Sequence, residues 1–428
     1  MKIKIPDCIL DLIHNITQNG GRAVLVGGCV RDGLLGLPVK DWDIEIFSLS
    51  PPQLETLLER WGPVLTIGKS FGIYRLPRLN LDVALPRHDW PTGDGGHKGF
   101  SITADPSLSF EKAVQRRDLT INSIGFDPLT DTLLDPAQGI ADLENKVLRA
   151  TDPLRFQEDP LRGLRVMQMA ARFCMTPDPQ LGNICGTLPI ETLSPERIYG
   201  EFEKLLLKGK KPSLGLNFLK ETDLVRFFPA LSKLAESSSW AHTLKSLDQG
   251  VMMRSGNDQE DRTLMFGLLC HCLAPYEGKE FLTNLRANHR LIRAVMAMVQ
   301  HQEKPVAYLL ENAPRGHYQC LARDLVKRHG TPLRLLWGMA TAIETGQESV
   351  NEETLARLYD KIPDLKTWEI WEKAPQDIVT GRFLRERGLI PGPLFSRILK
   401  ACQQVQDDTL LTDPEVILAK VQSLKTER

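Results

Sequence analysis

The chain has 428 residues, of which 42% are hydrophobic and 25% are charged, and its formal net charge is −1. This length exceeds what one hydrophobic core usually supports, so we expect two to four domains. The near-neutral charge identifies no class of partner. The first residues lack the long apolar segment of a signal peptide, and no later run is apolar enough to span a bilayer, so we expect no membrane association.

The eight cysteines are scattered along the chain and form no C-x-x-C pair. Such spacing argues against a zinc site or a disulfide framework. It is typical of reduced thiols, and we therefore predict a cytoplasmic protein.

The predicted elements change in character along the chain. Residues 1–20 predict a short amphipathic helix that ends at Gly20-Gly21. From 22 to about 145, short β-type runs alternate with helical patterns and turns; the runs are RAVLVGG, WDIEIF, FGIYRL, NLDVALP and INSIGFD. After about 146, helical periodicity dominates. We predict an α+β fold with a mixed-sheet head at 1–145, followed by an all-α neck at 146–229, body at 230–375 and tail at 376–428.

The segment AVLVGGCVRDGLLG predicts a strand, a tight turn at Gly27-Gly28 and a helix. Two glycines let the backbone approach a ligand closely, and the free N–H groups of a helix start suit phosphate. A turn of this kind taken alone is more often structural than functional.

The segment KDWDIEIF places Asp41 and Asp43 two residues apart at the start of a strand, where side chains at i and i+2 share a face. Two neighbouring carboxylates repel unless a cation or a proton lies between them. Asp82, in LDVALPR, is a candidate third acid from another strand. Mg²⁺ usually binds through one or two carboxylates and substrate phosphates. The glycine turn and the pair of aspartates together therefore predict a triphosphate site with Mg²⁺.

Four segments in order resemble the class II tRNA nucleotidyltransferase and bacterial poly(A) polymerase family of the polymerase-β superfamily. They are LVGGCVRDGLLGLPVKDWDIEI, RRDLTINSIGFDP (116–128), EDPLRGLR (158–165) and SPERIYGEFEKLL (194–206). The resemblance covers residues 22–206. It implies a polymerase-β-like head that uses Asp41, Asp43 and Mg²⁺ to add C, C and A from CTP and ATP to the 3′ end of a tRNA. Pyrophosphate is the implied leaving group.

The RRD-x-x-x-N segment supplies further ligands for the nucleotide. Its arginines can neutralise phosphate oxygens, although a solvated pair is the ordinary alternative. Asp118 can accept a hydrogen bond from a ribose hydroxyl, and the resemblance assigns ribose recognition to this motif. The predicted nucleotide-binding residues are Gly27, Gly28, Arg31, Arg117, Asp118, Asn122, Asp159, Arg162 and Arg165, with Asp82, Arg116 and Glu158 as additional candidates.

Asp159 and Arg162 are three residues apart and are expected on one helical face. A carboxylate that accepts from an amino group, beside a guanidinium that donates to a ring nitrogen, fits cytosine and adenine. Guanine and uracil would leave both groups unpaired, at about 1–3 kcal/mol each in a desolvated site. The resemblance assigns the same role to this pair. Asp159 also precedes Pro160, which is typical of a helix N-cap.

The segment PRHDWPTGDGGHKGF (86–100) is rich in glycine and turn residues and contains Arg87, His88, His97 and Lys98. The resemblance implies a mobile loop that family members need for the switch from C to A addition; an ordinary solvent loop is the alternative. Relatives that add only CC lack a comparable loop. The sequence therefore favours the complete CCA.

The helical part carries local excesses of positive charge. Residues 146–215 contain 11 Lys/Arg against 8 Asp/Glu, and residues 382–400 contain five basic residues and one acid. Basic helix faces give RNA phosphates sequence-independent affinity, so we expect tRNA to bind there, although solvated faces are the alternative. GLIPGPLFSRILK resembles the C-terminal segment of bacterial relatives, with Ser396 where many have glycine. The sequence leaves the oligomeric state open.

WAHTLKSLDQ and LMFGLLCHCL resemble the two halves of an HD-type phosphohydrolase site, which requires His and then His-Asp as metal ligands. His242 and His271 are present, but Cys272 occupies the Asp position. Because a neutral thiol poorly replaces a carboxylate, we predict a helical region without hydrolase chemistry and a packed His271.

Four other functions stay open at this point. A poly(A) polymerase shares the motifs, although TIGKSFGIYRL lacks the more basic segment of that branch. A partial enzyme would add only CC or only A. A non-catalytic RNA-binding module would not need the Asp pair, and a small-molecule nucleotidyltransferase would not need the long helical part.

Overall fold

The computed structural model of the chain describes residues 3–66, 72–91 and 100–426. The chain forms two compact units. The first comprises Met1–Ser194 with Glu221–Leu224, and the second comprises Pro195–Lys220 with Val225–Arg428. The first unit contains every strand that the structure describes, and the second is helical. This arrangement confirms the predicted α+β fold with a long helical part.

The strands are β1 Arg22–Val26, β2 Trp42–Phe47, β3 Leu65–Thr66, β4 Ile73–Leu76, β5 Leu81–Ala84, β6 Arg87–Pro91, β7 Phe100–Ala104, β8 Gly125–Asp127, β9 Thr132–Leu134, β10 Val147–Leu148 and β11 Thr176–Pro177. Seven of them form one mixed sheet in the order β3-β4-β5-β2-β1-β8-β9. In this sheet β2 runs antiparallel to β1 and parallel to β5. The five predicted runs all contain strands, but INSIGFD begins with a 3-10 turn, Thr120–Asn122.

The helices of the first unit are α1 Asp7–Gln18, α2 Gly28–Leu34, α3 Pro51–Leu58, α4 Phe110–Val114, α5 Gly139–Glu144, α6 Pro153–Phe156, α7 Leu161–Phe173 and α8 Pro179–Gly186. The predicted amphipathic helix is α1, which buries the four apolar residues Ile9, Leu12, Ile13 and Ile16 in the main core. Fully burying such a side chain contributes about 1.5–3 kcal/mol.

The alternation of side chains along β2 decides where polar groups lie. Trp42, Ile44 and Ile46 pack into the main core with α1 and α3. Phe47 belongs to a second cluster with Val24 and Val26 of β1 and the apolar residues of α4. Successive strand residues point to opposite faces, so Asp43 and Glu45 share the face of Phe47. That face of the sheet carries the candidate site.

The helices of the second unit begin with α9 and end with α22. They are α9 Pro195–Lys208, α10 Pro212–Glu221, α11 Pro229–Glu236, α12 Ser239–Gly250, α13 Asp258–Cys270, α14 Pro275–Asn284, α15 His289–His301, α16 Lys304–Leu310, α17 Arg315–Arg323, α18 Leu333–Thr345, α19 Glu352–Thr367, α20 Gly381–Glu386, α21 Pro393–Thr409 and α22 Pro414–Thr426. Of the helices in the described ranges, none has the length and apolar character needed to cross a membrane.

Candidate active site

The two acids of the KDWD segment lie at the edge and on the face of the sheet. Asp41 directly precedes β2, and its side chain is 74% exposed. Asp43 lies on β2 and is half-buried. Burial raises the pKa of Asp43 to about 6; Arg117 opposes this shift, and the carboxylates of Asp82 and Asp41 add to it. Asp43 is therefore a carboxylate whose negative charge the folded chain leaves only partly compensated.

Asp82 lies beside Asp43, because β5 and β2 run parallel with these two residues in register. Its carboxylate accepts hydrogen bonds from Nη1 of Arg75 at 3.0 and 3.1 Å. Nη2 of Arg75 also lies 3.9 Å from Oδ1 of Asp41. The third acid is thus next to the pair, but a cation of the chain already neutralises it.

The glycine turn lies against the same face. Gly27 has a φ of +74°, and a Cβ there would lie 3.0 Å from Nη1 of Arg117 and 3.7 Å from Oδ2 of Asp43. A side chain at this position would be strained and would fill the space beside the acid. Gly28 starts α2, as the sequence predicted.

Glu45 is a site residue that the sequence reasoning missed. It lies on β2 and is fully buried, and Nη2 of Arg116 donates to its Oε1 at 2.7 Å. Nη2 of Arg117 lies 3.9 Å from its Oε2. Burial alone would raise the pKa of Glu45, but the two arginines outweigh it and lower the pKa. The available signal was the i+4 spacing from Asp41 in D-W-D-I-E, which continues the row of acids along the strand.

The rest of the RRD-x-x-x-N motif forms a buried network around Asp118. Its Oδ1 accepts from Nδ2 of Asn122 at 2.9 Å and from the Leu119 N–H, and its Oδ2 accepts from Nε of Arg165 at 2.7 Å. Burial would raise the pKa of Asp118, but Arg165 and these hydrogen bonds lower it to about 2. Asp118 is consequently ionised at neutral pH and ties the motif to α7.

Arg31 occupies the interior of this network. It is buried, donates through Nη1 to Oδ1 of Asn122, and donates through Nε and Nη2 to Oδ1 of Asp32. Its guanidinium also lies 4.5 Å from the ring centre of Phe173. In this arrangement Arg31 connects α2, the 3-10 turn and α7.

The predicted base-reading pair lies at the start of α7. Asp159 precedes the first helical residue, Leu161, by two positions, and its Oδ1 accepts from the Leu161 N–H at 3.1 Å. The nitrogens Nη1 and Nη2 of Arg162 donate to the backbone oxygens of Arg155 and Arg116 at 2.7 and 2.6 Å. Asp159 thus lies at the end of the helix rather than on its face, and its carboxylate takes part in capping.

The structure brings the predicted residues of the first unit into one connected region. Arg162 contacts Arg116, and Arg116 contacts Glu45. Glu45 lies two residues after Asp43 on β2. Glu158 is exposed just before α7. Residues 92–99 of the predicted loop, with His97 and Lys98, lie outside the described residues, although β6 and β7 on either side form an antiparallel hairpin.

Two family sequence models match the chain. The model described as "Poly A polymerase head domain" matches residues 23–149, which include every strand of the main sheet from β2 to β9. The model described as "Probable RNA and SrmB- binding site of polymerase A" matches residues 188–234.

Curated relatives carry the name "Multifunctional CCA protein". The protein of Nitrosococcus oceani is 32% identical over 330 residues, which cover 73% of this chain and 78% of that protein. The protein of Mannheimia succiniciproducens is 34% identical over 267 residues, 58% of this chain and 62% of the relative. The protein of Xylella fastidiosa is 32% identical over 266 residues, which cover 59% of this chain and 62% of the relative. These last two matches span less than two thirds of the relatives' length.

Solved structures share the fold. The Bacillus stearothermophilus CCA-adding enzyme in complex with CTP superposes with a TM-score of 0.70 at 21% identity, covering 99% of this chain and 98% of that one. The Thermotoga maritima CCA-adding enzyme complexed with tRNA_CCA gives a TM-score of 0.65 at 20% identity, with 99% and 96% covered. From the curated relatives and this shared fold, the chain belongs to the class II CCA-adding enzyme family.

Proposed function

We propose that the protein adds C, C and A to the 3′ end of tRNA in the cytoplasm, using CTP and ATP and releasing pyrophosphate. The observation that carries this proposal is the position of Asp43. It lies on the face of the sheet opposite the main core, close to the turn at Gly27 and to the cation of Arg117. The names of the related proteins, and the solved structures of CCA-adding enzymes with CTP and with tRNA, support the same reaction.

The donor set of this face fits Mg²⁺. Asp41 and Asp43 supply carboxylate oxygens, the ligands that a hard cation prefers. Burial, together with the neighbouring carboxylates of Asp82 and Asp41, raises the pKa of Asp43, and a bound cation would stabilise its ionised form. Asp41 and Asp43 would hold the ion, while Asp82 stays paired with Arg75. When bound, Mg²⁺ would activate the attacking 3′-hydroxyl and stabilise the leaving oxygen.

The arginines and the turn organise the triphosphate. Gly27 lets the backbone of the turn lie close to Arg117, whose guanidinium is also near Asp43 and can bind phosphate. Glu45 holds Arg116 and lies close to Arg117, so it positions these cations on the site face. We assign Arg31 a positioning role through Asn122, in place of the direct nucleotide binding predicted from the sequence.

Asp159 and Arg162, at the start of α7, would select the base of the incoming nucleotide. The two backbone carbonyls that accept from Arg162 fix the plane of its guanidinium, which still has further N–H groups to offer a ring nitrogen. A carboxylate has two oxygens and about four lone-pair sites, so capping by one oxygen of Asp159 leaves capacity for a base amino group. The cap orients the carboxylate, and the two roles are compatible.

Asp118 and Arg165 extend the nucleotide site along α7. Because Asp118 is ionised at neutral pH, its carboxylate can accept a hydrogen bond from a ribose hydroxyl in addition to those from its present donors. Arg165 donates to Asp118 and remains about one-third exposed, which suits a second contact with phosphate.

The tail supplies a candidate surface for tRNA. Its five basic residues in the segment 382–400 are all exposed, namely Arg382, Arg385, Arg387, Arg397 and Lys400. Exposed cations of this kind bind RNA phosphates irrespective of sequence, which suits an enzyme that accepts many tRNAs.

A poly(A) polymerase is the second candidate, because both matching family models are named after that enzyme. The discriminating assay supplies each labelled nucleotide singly to tRNA that ends before the first C, after one C, or after two. We expect CTP to extend the first two substrates and ATP to extend only the third, by one residue. Long A tails on any of them would contradict CCA addition.

Asp41→Ala is expected to reduce nucleotide addition by about a thousandfold or more, because it removes one of the two metal-binding carboxylates. Its side chain is mostly exposed, so folding and tRNA binding should be nearly unchanged. Single-turnover addition and a tRNA gel-shift measure the two effects. Glu59→Ala, an exposed acid of the same unit, is the control. Normal turnover by the Asp41 variant would refute the metal role.

Glu45→Gln keeps the size of the buried side chain but removes the charge that holds Arg116 and lies beside Arg117. We expect kcat/KM for CTP to fall at least about tenfold, which corresponds to about 1.4 kcal/mol. Circular dichroism checks that the variant is folded, and Glu59→Gln serves as the control. Unchanged kcat/KM in a folded Glu45 variant would show that the arginines need no such partner.

Asp159→Asn separates capping from base reading, because asparagine caps helices about as well as aspartate. Asparagine can also present an amino donor to the base, so we expect discrimination against UTP and GTP to fall by about tenfold or more while stability changes little. Competition between the four nucleotides and a thermal melt are the measurements. If selectivity is retained, the carboxylate of Asp159 serves the helix alone.

A further inference from the structure

Three polar side chains from two helices converge in the second unit. His242 lies on α12, while His271 and Cys272 follow the end of α13. One donor atom of each residue lies within 4.8 Å of the other two. Over the described ranges, this is the only set of three or more His, Cys, Asp or Glu groups that converges so closely. The strand acids of the first unit form no such set.

Both imidazole rings are held by backbone carbonyl oxygens. Nε2 of His242 lies 3.0 Å from the oxygen of Ile343, and Nδ1 of His271 lies 2.7 Å from the oxygen of Leu268. A carbonyl oxygen only accepts, so each of these nitrogens carries the hydrogen. In a neutral ring the other nitrogen then presents a lone pair. Metal-binding histidines typically show this arrangement, in which the outer N–H donates to a carbonyl.

The Cys272 side chain shares hydrogen bonds with the side chains of Thr243 and Ser239, whereas the histidine nitrogens that face it have weaker competitors. Nδ1 of His242 faces Sγ of Cys272 at 4.0 Å. His271 is only 6% exposed, and within the part of the chain that the structure describes its Nε2 has no hydrogen-bond partner. Leaving a buried nitrogen without a partner is unfavourable, and a bound ligand would offset this cost.

The ligand set selects the class of ion. Two imidazoles and one thiolate suit Zn²⁺ and similar borderline ions, whereas Mg²⁺ and Mn²⁺ favour oxygen ligands. In tetrahedral Zn²⁺ sites the donor atoms lie roughly 3.5 Å apart. The donor atoms of His242, His271 and Cys272 lie up to 4.8 Å apart, so binding would bring them closer by about an ångström. Glu344, on α18 near His242, adds negative charge beside the cluster.

We propose that His242, His271 and Cys272 form a binding site for one divalent transition-metal ion of the Zn²⁺ type, with a fourth position open to water. Binding releases the thiol proton of Cys272 to solvent, since the thiolate is the ligand. The site is separate from the strand acids and does not depend on nucleotide transfer. Its thiolate ligand distinguishes it from the HD-type arrangement with an aspartate at this position.

Co²⁺ is the probe of choice, because thiolate ligation gives a charge-transfer band in the near ultraviolet. The metal-free full chain is titrated with Co²⁺ in excess Mg²⁺, which occupies oxygen sites. We expect one equivalent to produce the band, and one equivalent of Zn²⁺ to abolish it. Cys272→Ser should eliminate the band and weaken Zn²⁺ binding by about a hundredfold or more, judging from losses on altering ligand partners.

Cys270→Ala is the matched control, since Cys270 is also buried in this part of α13 but does not belong to the cluster. It should retain the band, and circular dichroism checks that both variants are folded. His271→Gln offers a second test and should shift the d–d bands of Co²⁺ and weaken Zn²⁺ binding. The proposal is overturned if the native chain shows no band, or if the band persists in Cys272→Ser.

Discussion

The row of acidic residues along one strand is the constraint on which the site depends. Apolar residues of β2 anchor the strand in the core through Trp42, Ile44 and Ile46, so the alternate positions must hold Asp43 and Glu45 on the other face. Two carboxylates on one partly buried face require positive charge. The chain supplies it for Glu45 through Arg116 and Arg117. Around Asp43 the negative charge is only partly neutralised by the chain. A bound metal ion would supply the missing positive charge and would in turn bind the nucleotide.

The elements around this strand are connected by charged hydrogen bonds rather than by apolar packing alone. Glu45 accepts a hydrogen bond from Arg116 and lies 3.9 Å from Arg117, and the backbone oxygen of Arg116 accepts from Arg162 at the start of α7. Asp118 in turn accepts from Arg165 on the same helix. The proposed base-reading residue Arg162 therefore belongs to the same hydrogen-bond network as Glu45, which lies two residues from Asp43 on β2. A substitution of a base-reading residue would therefore alter the positions of the arginines beside Asp43.

Local patterns in the sequence predicted the elements of this site, and spatial pairing determined the details they could not give. The apolar alternation of WDIEIF predicted β2 and the shared face of its acids. The same pattern could not reveal that Asp82 is paired with Arg75 or that Arg31 is buried, because those contacts depend on how distant segments pack. Cysteine spacing likewise argued against a zinc site. Cys272 meets His242 only because α12 and α13 are neighbours in the fold.

We infer that Asp41 and Asp43 together hold a divalent ion that receives the incoming triphosphate. A crystal structure with CTP and Mn²⁺, whose anomalous scattering identifies the ion, tests it most directly. We expect a manganese peak in contact with both carboxylates and with phosphate oxygens beside Gly27. Bound CTP with the two side chains directed apart, and with no manganese between them, would contradict it.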